Sequence, residues 1–350
     1  MRSIFFLYAE LNPYNVPVFR ALTKMGYCLY VIHWDHKKLT PYIPPHIDGV
    51  NFLNRSEYDS KEKILGLVEQ IQPCIVCTSG WMDPVYNAVA KQIRKRTEIP
   101  VIAMIDTQWK GGKQWLNVIF SHFRHRKWFS HILVAGLRQY NYAKKLGFSN
   151  QDILNPSLSA DVELFSTCSL DGKKEQYPRQ FIYIGRLSEE KGLKELIEVW
   201  KELYSEIPEW KLLLVGDGPM RMEIETLIKA IPSVTLSSYQ PQDRLVEMLE
   251  NSGCFILPSR YEPWALVIHE AACAGLPIVC TDVCGAVDHF LINGYNGYKC
   301  PVGKEGLKTA MKKIAVLNSS ELLNFSYRSR ELSQRISPSI VASAILSVIK

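Results

Sequence analysis

No apolar run in the 350-residue chain reaches the ~18 residues that a membrane-spanning helix needs. The chain is therefore expected to be soluble or to lie on a membrane, not to cross one. A second Cys-x-x-Cys is missing too. Cys74 and Cys77 form the only one, inside the apolar run 73–77 that reads as a buried strand, where their side chains point to opposite faces. The nine cysteines are odd in number and scattered, so they read as structural thiols of a reducing cytoplasm and not as a disulfide frame or zinc site. There is no convincing Asp-x-Asp metal motif, no internal repeat and no low-complexity tract. Charge is nearly balanced, at +6. That mild excess favours anionic partners such as nucleotide phosphates or an anionic lipid surface without demanding either. No nucleic-acid-binding motif accompanies it, and none is expected as a partner.

What is present has the balance of a globular protein: 47% hydrophobic and 22% charged residues, in a length that suits two domains with separate cores. The first residues could pass for a short signal peptide. Their apolar part is brief, however, and Glu10 and Asn12 follow at once, so a first β-strand is the better reading. Apolar runs at 4–8, 28–33, 74–78, 101–105 and 131–135 read as strands buried on both faces. Helical segments lie between several of them, such as 16–25, closed by Gly26. The rhythm restarts with strands at 181–185, 211–216, 234–236, 254–258 and 277–281. Two successive series of this kind indicate an α/β protein of two doubly wound domains. The polar stretch 166–179 reads as their boundary. This gives domains at 1–165 and 166–335, with a helix at 336–350 that packs back on the first. Ligands of such sheets bind beyond the carboxyl ends of the strands, and the default site is a cleft between the two domains.

The loops after the second-half strands carry the chemistry. Gly185-Arg186-Leu187 to Lys191-Gly192 places two cations near a helix start, a diphosphate site or a pair of surface cations. Gly216-Asp217-Gly218-Pro219 lets the backbone turn tightly beside a ligand, or is a plain strand-to-helix turn. Tyr239 and Gln240 follow the third strand and could border a base or simply fill a loop. After the fourth strand, Glu262 precedes a helix that carries Glu270 eight residues on, about two turns later and so on roughly the same side. Glu270 is flanked by Ile268, Ala271 and Ala272. A carboxylate buried there needs partners, and sugar hydroxyls are suitable donors.

These motifs, in this order, resemble family 4 glycosyltransferases, which are retaining, nucleotide-sugar-dependent enzymes of the GT-B fold with two Rossmann-like domains facing across a cleft. The likeness covers nearly all of the second domain, and 155–165 is similar to the family's interdomain stretch. It implies that Arg186 and Lys191, with Gly185, hold the donor diphosphate, and that Glu270 holds the ribose. Glu262 would contact the donor sugar and the backbone N–H groups of Ala265 and Leu266 the phosphates. Gly216, Gly218, Tyr239 and Gln240 would border the base. The resemblance implies neither metal nor cofactor, since fixed cations and dipoles serve the leaving diphosphate. It further implies a glycan or polyprenyl-diphosphate-linked acceptor, bacterial surface polysaccharide synthesis, and a cytoplasmic place, at the inner face of the membrane where the acceptor is lipid-linked.

The first domain departs from the family. Residues 9–14 lack the glycine-rich loop, and Asp106 stands where the family often has histidine. Asp106 is read either as touching donor sugar or acceptor, or as a cap. His269 reads as a packing or hydrogen-bonding residue. Residues 109–129 interleave five cations with six aromatics, which suits either an anionic membrane surface or a helix packed on its own domain. Two competing functions stay open, a non-hydrolysing sugar-nucleotide epimerase and a non-catalytic nucleotide-binding partner subunit.

Overall fold

The computed structural model describes residues 2–36 and 42–349; Met1, residues 37–41 and Lys350 lie outside it. The chain forms two compact units, Met1–Ser159 with Ile336–Lys350, and Ala160–Arg335. In the first, strands β1 (Arg2–Tyr8), β2 (Tyr27–His33), β3 (Val50–Asn54), β4 (Ile75–Thr78), β5 (Val101–Ile105), β6 (His131–Val134) and β7 (Ile153–Leu154) form one parallel sheet in the order β3-β2-β1-β4-β5-β6-β7. In the second, β8 (Gln180–Ile184), β9 (Lys211–Val215), β10 (Val234–Ser237), β11 (Cys254–Leu257), β12 (Ile278–Thr281) and β13 (Gly297–Cys300) repeat the arrangement as β10-β9-β8-β11-β12-β13, again parallel. Each sheet is thus doubly wound, and the strand order reverses between β1 and β4 in one unit and between β8 and β11 in the other.

The physical cause is visible strand by strand. Ile4 to Leu7 of β1 and the whole of β4, β11 and β12 are buried, so these strands consist of apolar residues on both faces. The helices that cover them are amphipathic. Leu193–Leu203 buries Leu193, Leu196, Ile197, Trp200 and Leu203, the spacing of one helical face. Their starts are capped: the Ser60 side chain accepts from the Lys63 amide, Asp83 from those of Val85 and Tyr86, and Asn318 forms a capping box with Glu321. The helix expected at 16–25 runs Asn15–Lys24 and is followed by Gly26 at φ +88°.

Three strands, β3, β7 and β13, have no counterpart in the sequence reading. All lie at sheet edges. Edge strands are only partly buried and do not present a continuous apolar run. The stretch 166–179, read as a boundary, instead belongs inside the second unit. Lys173 is buried there with Nζ donating to Ser252 O at 2.8 Å, and the buried Tyr177 hydroxyl donates to Gly253 O at 3.0 Å. Polar composition there reflects internal hydrogen bonding. Helix Pro338–Leu346, capped by Ser337, lies against Asn15–Lys24 and buries Val341, Ala342 and Ile345. Cys77 and six other cysteines are buried, while Cys28 and Cys74 are half-buried.

Candidate functional site

Unit two brings its polar residues together at the reversal between β8 and β11, where ligands of doubly wound sheets bind. The loop after β8 is fastened first. The Tyr183 hydroxyl donates to Arg186 O at 2.8 Å, the Leu187 amide donates to Asp217 O at 2.9 Å, and residues Glu189–Lys191 form one 3-10 turn. Gly192 then adopts φ +69°, and a Cβ there would sit 2.1 Å from Pro258 O, so only glycine lets this loop press against the end of β11. The β11 loop is tied back by the Arg260 amide donating to Glu190 O at 2.8 Å and by Arg260 Nε on Glu195 Oε1 at 2.7 Å. Across this joint Lys191 Nζ and the Glu262 carboxylate form an ion pair whose side chains are only 19% and 11% exposed. Arg186, by contrast, is exposed and makes no side-chain hydrogen bond or ion pair with a described residue. Ser259, two positions after β11, buries an Oγ with no hydrogen-bond partner among the described residues.

The loop after β9 packs against the loop after β8. The sequence leaves two readings for Gly216 and Gly218, close approach of a ligand or a plain strand-to-helix turn. A Cβ on Gly216, at φ +146°, would lie 1.9 Å from Gly185 O, and one on Gly218 would lie 2.5 Å from Leu187 O. The close approach is to the neighbouring loop's backbone. Asp217 between them accepts from the Tyr239 amide at 2.6 Å and from Arg221 NH1 at 2.5 Å, which links the β9 and β10 loops. Tyr239 itself is 60% exposed, and Gln240 Nε2 donates to Ser237 Oγ at 3.2 Å.

The helical argument relating Glu262 to Glu270 does not hold. The helix is only Leu266–Cys273, and Ala265 before it takes a left-handed conformation at φ +73°. Glu262 sits outside, bridged to Cys284 in extended pairing. A sharp turn, not two helical turns, sets their relation. That turn leaves the amides of Ala265 and Leu266 without an acceptor among the described residues, at the positive end of an eight-residue helix. Glu270 keeps part of its surface open, yet its carboxyl group lies deep among protein atoms. Desolvation pushes its pKa up to about 7 against a hydrogen bond from the Gln242 side chain, and the charge of Asp161 adds to the rise. Gln242 was not singled out in the sequence, and nothing in its polar surroundings would have done so. The neighbouring His269 is fully buried, accepts from the Ala160 amide at Nδ1 (3.0 Å), donates from Nε2 to Ser333 O (2.9 Å) and stacks on Phe290 at 4.0 Å. Burial lowers its pKa to about 4, so it is a neutral packing residue.

Unit one has its own site at the equivalent place. A cavity of about 480 Å³ opens at the ends of β1, β4 and β5, lined by Glu10, Asn12, Tyr14, Trp81, Asp106 and Tyr142 among others. Asp106 does not cap a helix; the next one, Gln114–Phe120, begins after Lys113. Its backbone carbonyl accepts from Gln139 Nε2 at 2.7 Å, and desolvation raises its carboxyl pKa although the residue faces solvent in the cavity mouth. Residues 109–129 split between the two expectations. Phe129 is in the core and Trp109 and Trp128 pack against it, whereas Trp115, Leu116, Ile119, Phe120 and Phe123 are exposed. Arg124 lies over the Phe120 ring at 5.6 Å and Lys127 over Phe123 at 5.7 Å. Among the described residues no helix is long and apolar enough to cross a membrane.

Residues 171–331 match the family of glycosyl transferases group 1, a span that lies wholly inside the second unit and contains the loops just described. Over that span the second unit is similar to the group 1 glycosyl transferases. An uncharacterized glycosyltransferase of Haemophilus influenzae is 30% identical to this chain over 159 residues, 45% of this chain and 44% of that protein. The capsular polysaccharide biosynthesis glycosyltransferase CapM of Staphylococcus aureus is 27% identical over 204 residues, 55% of this chain and 50% of CapM. The chain thus spans about half the length of the curated relatives it matches. The likeness to solved structures is one of fold. Anabaena HepE, solved in complex with UDP and glucose, superposes over 98% of both chains with a TM-score of 0.71 at 14% identity. The two-unit architecture is the GT-B fold.

Proposed function

We propose that the chain is a retaining glycosyltransferase that moves a sugar from a UDP- or GDP-sugar to a glycan or polyprenyl-diphosphate-linked acceptor. The observation that carries this reading is the meeting of Lys191, Glu262, an open Arg186 and the unpaired amides of Ala265 and Leu266 at one strand-order reversal. An incoming diphosphate offers Lys191 a second anionic partner, with Arg186 and the two amides completing its neutralisation. Lys191 then shifts toward phosphate, and the Glu262 carboxylate it releases accepts from hydroxyls of the donor sugar. Glu270, already bonded by Gln242, accepts from the ribose. Fixed cations and backbone dipoles stabilise the leaving diphosphate without a metal or cofactor, and that phosphate takes the acceptor proton in a front-face attack. Tyr239 and Gln240 border the base. Gly185, Gly216 and Gly218 serve indirectly, holding the loops in register.

Thermal-shift screening with UDP, GDP and ADP, followed by transfer assays, tests the reading. One nucleotide is expected to stand out, and Glu270→Ala is expected to lose transfer. A flat response to all three nucleotides, or full activity in Glu270→Ala, removes the assignment. Incubation with donor alone separates an epimerase, which would isomerise it. The relation to CapM and the exposed Trp115-to-Phe123 face with its flanking cations support surface polysaccharide synthesis on the cytoplasmic face of a bacterial membrane. Vesicles rich in anionic lipid are expected to pull down the protein several-fold more than Phe123→Glu; equal recovery removes the membrane placement.

A further inference from the structure

We infer that Arg260 is a positioning residue for the donor joint of unit two: its guanidinium clamps the β11 loop to helix Leu193–Leu203 through Glu195, and so fixes where the Glu262 carboxylate stands. That the joint holds a donor rests on the transferase reading above; the clamp itself rests on geometry. Arg260 lies between the end of β11 and Glu262, on a loop whose backbone is hung from one carbonyl. The Arg260 amide, at 2.8 Å, and the Tyr261 amide, at 3.3 Å, both donate to Glu190 O. The side chain adds a second attachment. Its Nε donates to Glu195 Oε1 at 2.7 Å, one terminal nitrogen donates to the same oxygen, and the other stands 3.5 Å from Glu189 Oε1. Glu195 lies in the first turn of a helix that buries Leu193, Leu196, Ile197 and Trp200, so the anchor is firm.

A cation at this place could instead be a phosphate ligand, and its surroundings decide against that. The charge of Arg260 is already met by two carboxylates, Glu195 and Glu189, which a phosphate would have to displace. The neighbouring fastenings show what the clamp adds. Lys191 is held in its own turn, where its amide donates to Ser188 O at 3.0 Å. The turn at Ala265 is held by the Ala286 amide, which donates to Trp264 O at 2.8 Å. Between them, residues 260–261 are attached to the β8 loop through Glu190 O and to the helix through Glu195, and Glu262 follows at once. Loss of the clamp therefore acts on the sugar side of the donor more than on its diphosphate. An ion pair as exposed as this one adds little to global stability, so its removal leaves the fold intact.

Titration calorimetry on the intact protein with UDP, UDP-glucose, GDP and GDP-mannose tests this. Arg260→Ala and Glu195→Ala are each expected to weaken the nucleotide sugar that wild type prefers about tenfold, with the free nucleotide changed less than about threefold. The double variant should be no weaker than either single one, and Arg260→Lys should recover part of the loss. Glu202→Ala, which removes an exposed pair with Lys308 from the same helix, should change neither affinity. The sign for Glu195→Ala is decisive. It would free a phosphate-binding Arg260, and nucleotide would then bind more tightly. That result, equal losses for nucleotide and nucleotide sugar, or additive losses in the double variant overturns the inference. Hydrogen exchange of residues 258–262, followed without ligand, should quicken in Arg260→Ala and Glu195→Ala but not in Glu202→Ala; unchanged exchange overturns it as well. Binding by wild type with failed variant effects removes the clamp and leaves the transferase standing. No binding of any probe removes the transferase reading and the donor role with it, and exchange alone then decides whether the clamp holds the loop.

Discussion

The two units share one strand order and place a polar site at the same topological position, yet they fill it with opposite chemistry. In unit two the reversal holds a cation-rich joint, Arg186, Lys191 and the helix end at Ala265, balanced by Glu262. In unit one the reversal holds aromatics and two carboxylates, with no cation among the described lining residues. A common backbone therefore supplies only the location. What binds there is decided by a handful of side chains on the loops.

The largest test of that division is Lys191→Ala. Under the proposed reading, removing the cation strips the diphosphate of a fixed charge and takes one ion pair from the buried Glu262, so kcat/KM is expected to fall about 10³-fold. A loss below tenfold would break the comparison. Next in size is a pair of glycines, one per unit. Gly216→Ala forces a Cβ into Gly185 O and should cost about 3 kcal/mol or more in a denaturant midpoint. Gly26→Ala, at φ +88° with open space around the added carbon, should cost only about 1 kcal/mol. Equal losses would mean that the joint between the β8 and β9 loops is not rigid. The smallest effect is in pH. Glu270 has its pKa raised from the ordinary 4.5 to about 7, so the native state keeps a proton that the unfolded chain has released. Stability of unit two should fall as pH rises from about 4.5 to about 7 and then level off. Nucleotide affinity should move the other way, rising severalfold from pH 6 to 8 as the accepting carboxylate forms. Calorimetry on wild type and Glu270→Gln checks both, and the slope should vanish in the variant.

Legibility followed burial and contiguity. Strands buried on both faces were read directly, because each is a short unbroken apolar run; the edge strands β3, β7 and β13 were not, since half their residues answer to solvent. The chemistry of unit two was legible because Gly185 to Gly192 and Glu262 to Glu270 are compact segments, each following one strand. What misled was geometry between them. The left-handed Ala265 cannot be seen in a sequence, and so two acids eight residues apart looked like a helical pair. The unit-one cavity is hard to see in the sequence, where only Asp106 and the loop 9–14 draw notice, because its lining comes from separate loops whose residues mean little singly. Gln242 carries no sequence signal for the same reason, since it acts on Glu270, a group remote in sequence.

The helix Pro338–Leu346 lies on Asn15–Lys24, at the far end of the chain from the unit it completes. During synthesis the first unit must therefore wait. Its apolar face at residues 15–24 stays uncovered while some three hundred residues, including all of unit two, leave the ribosome. A chain released before residue 338 would carry the whole of unit two and a first unit still lacking one of its helices.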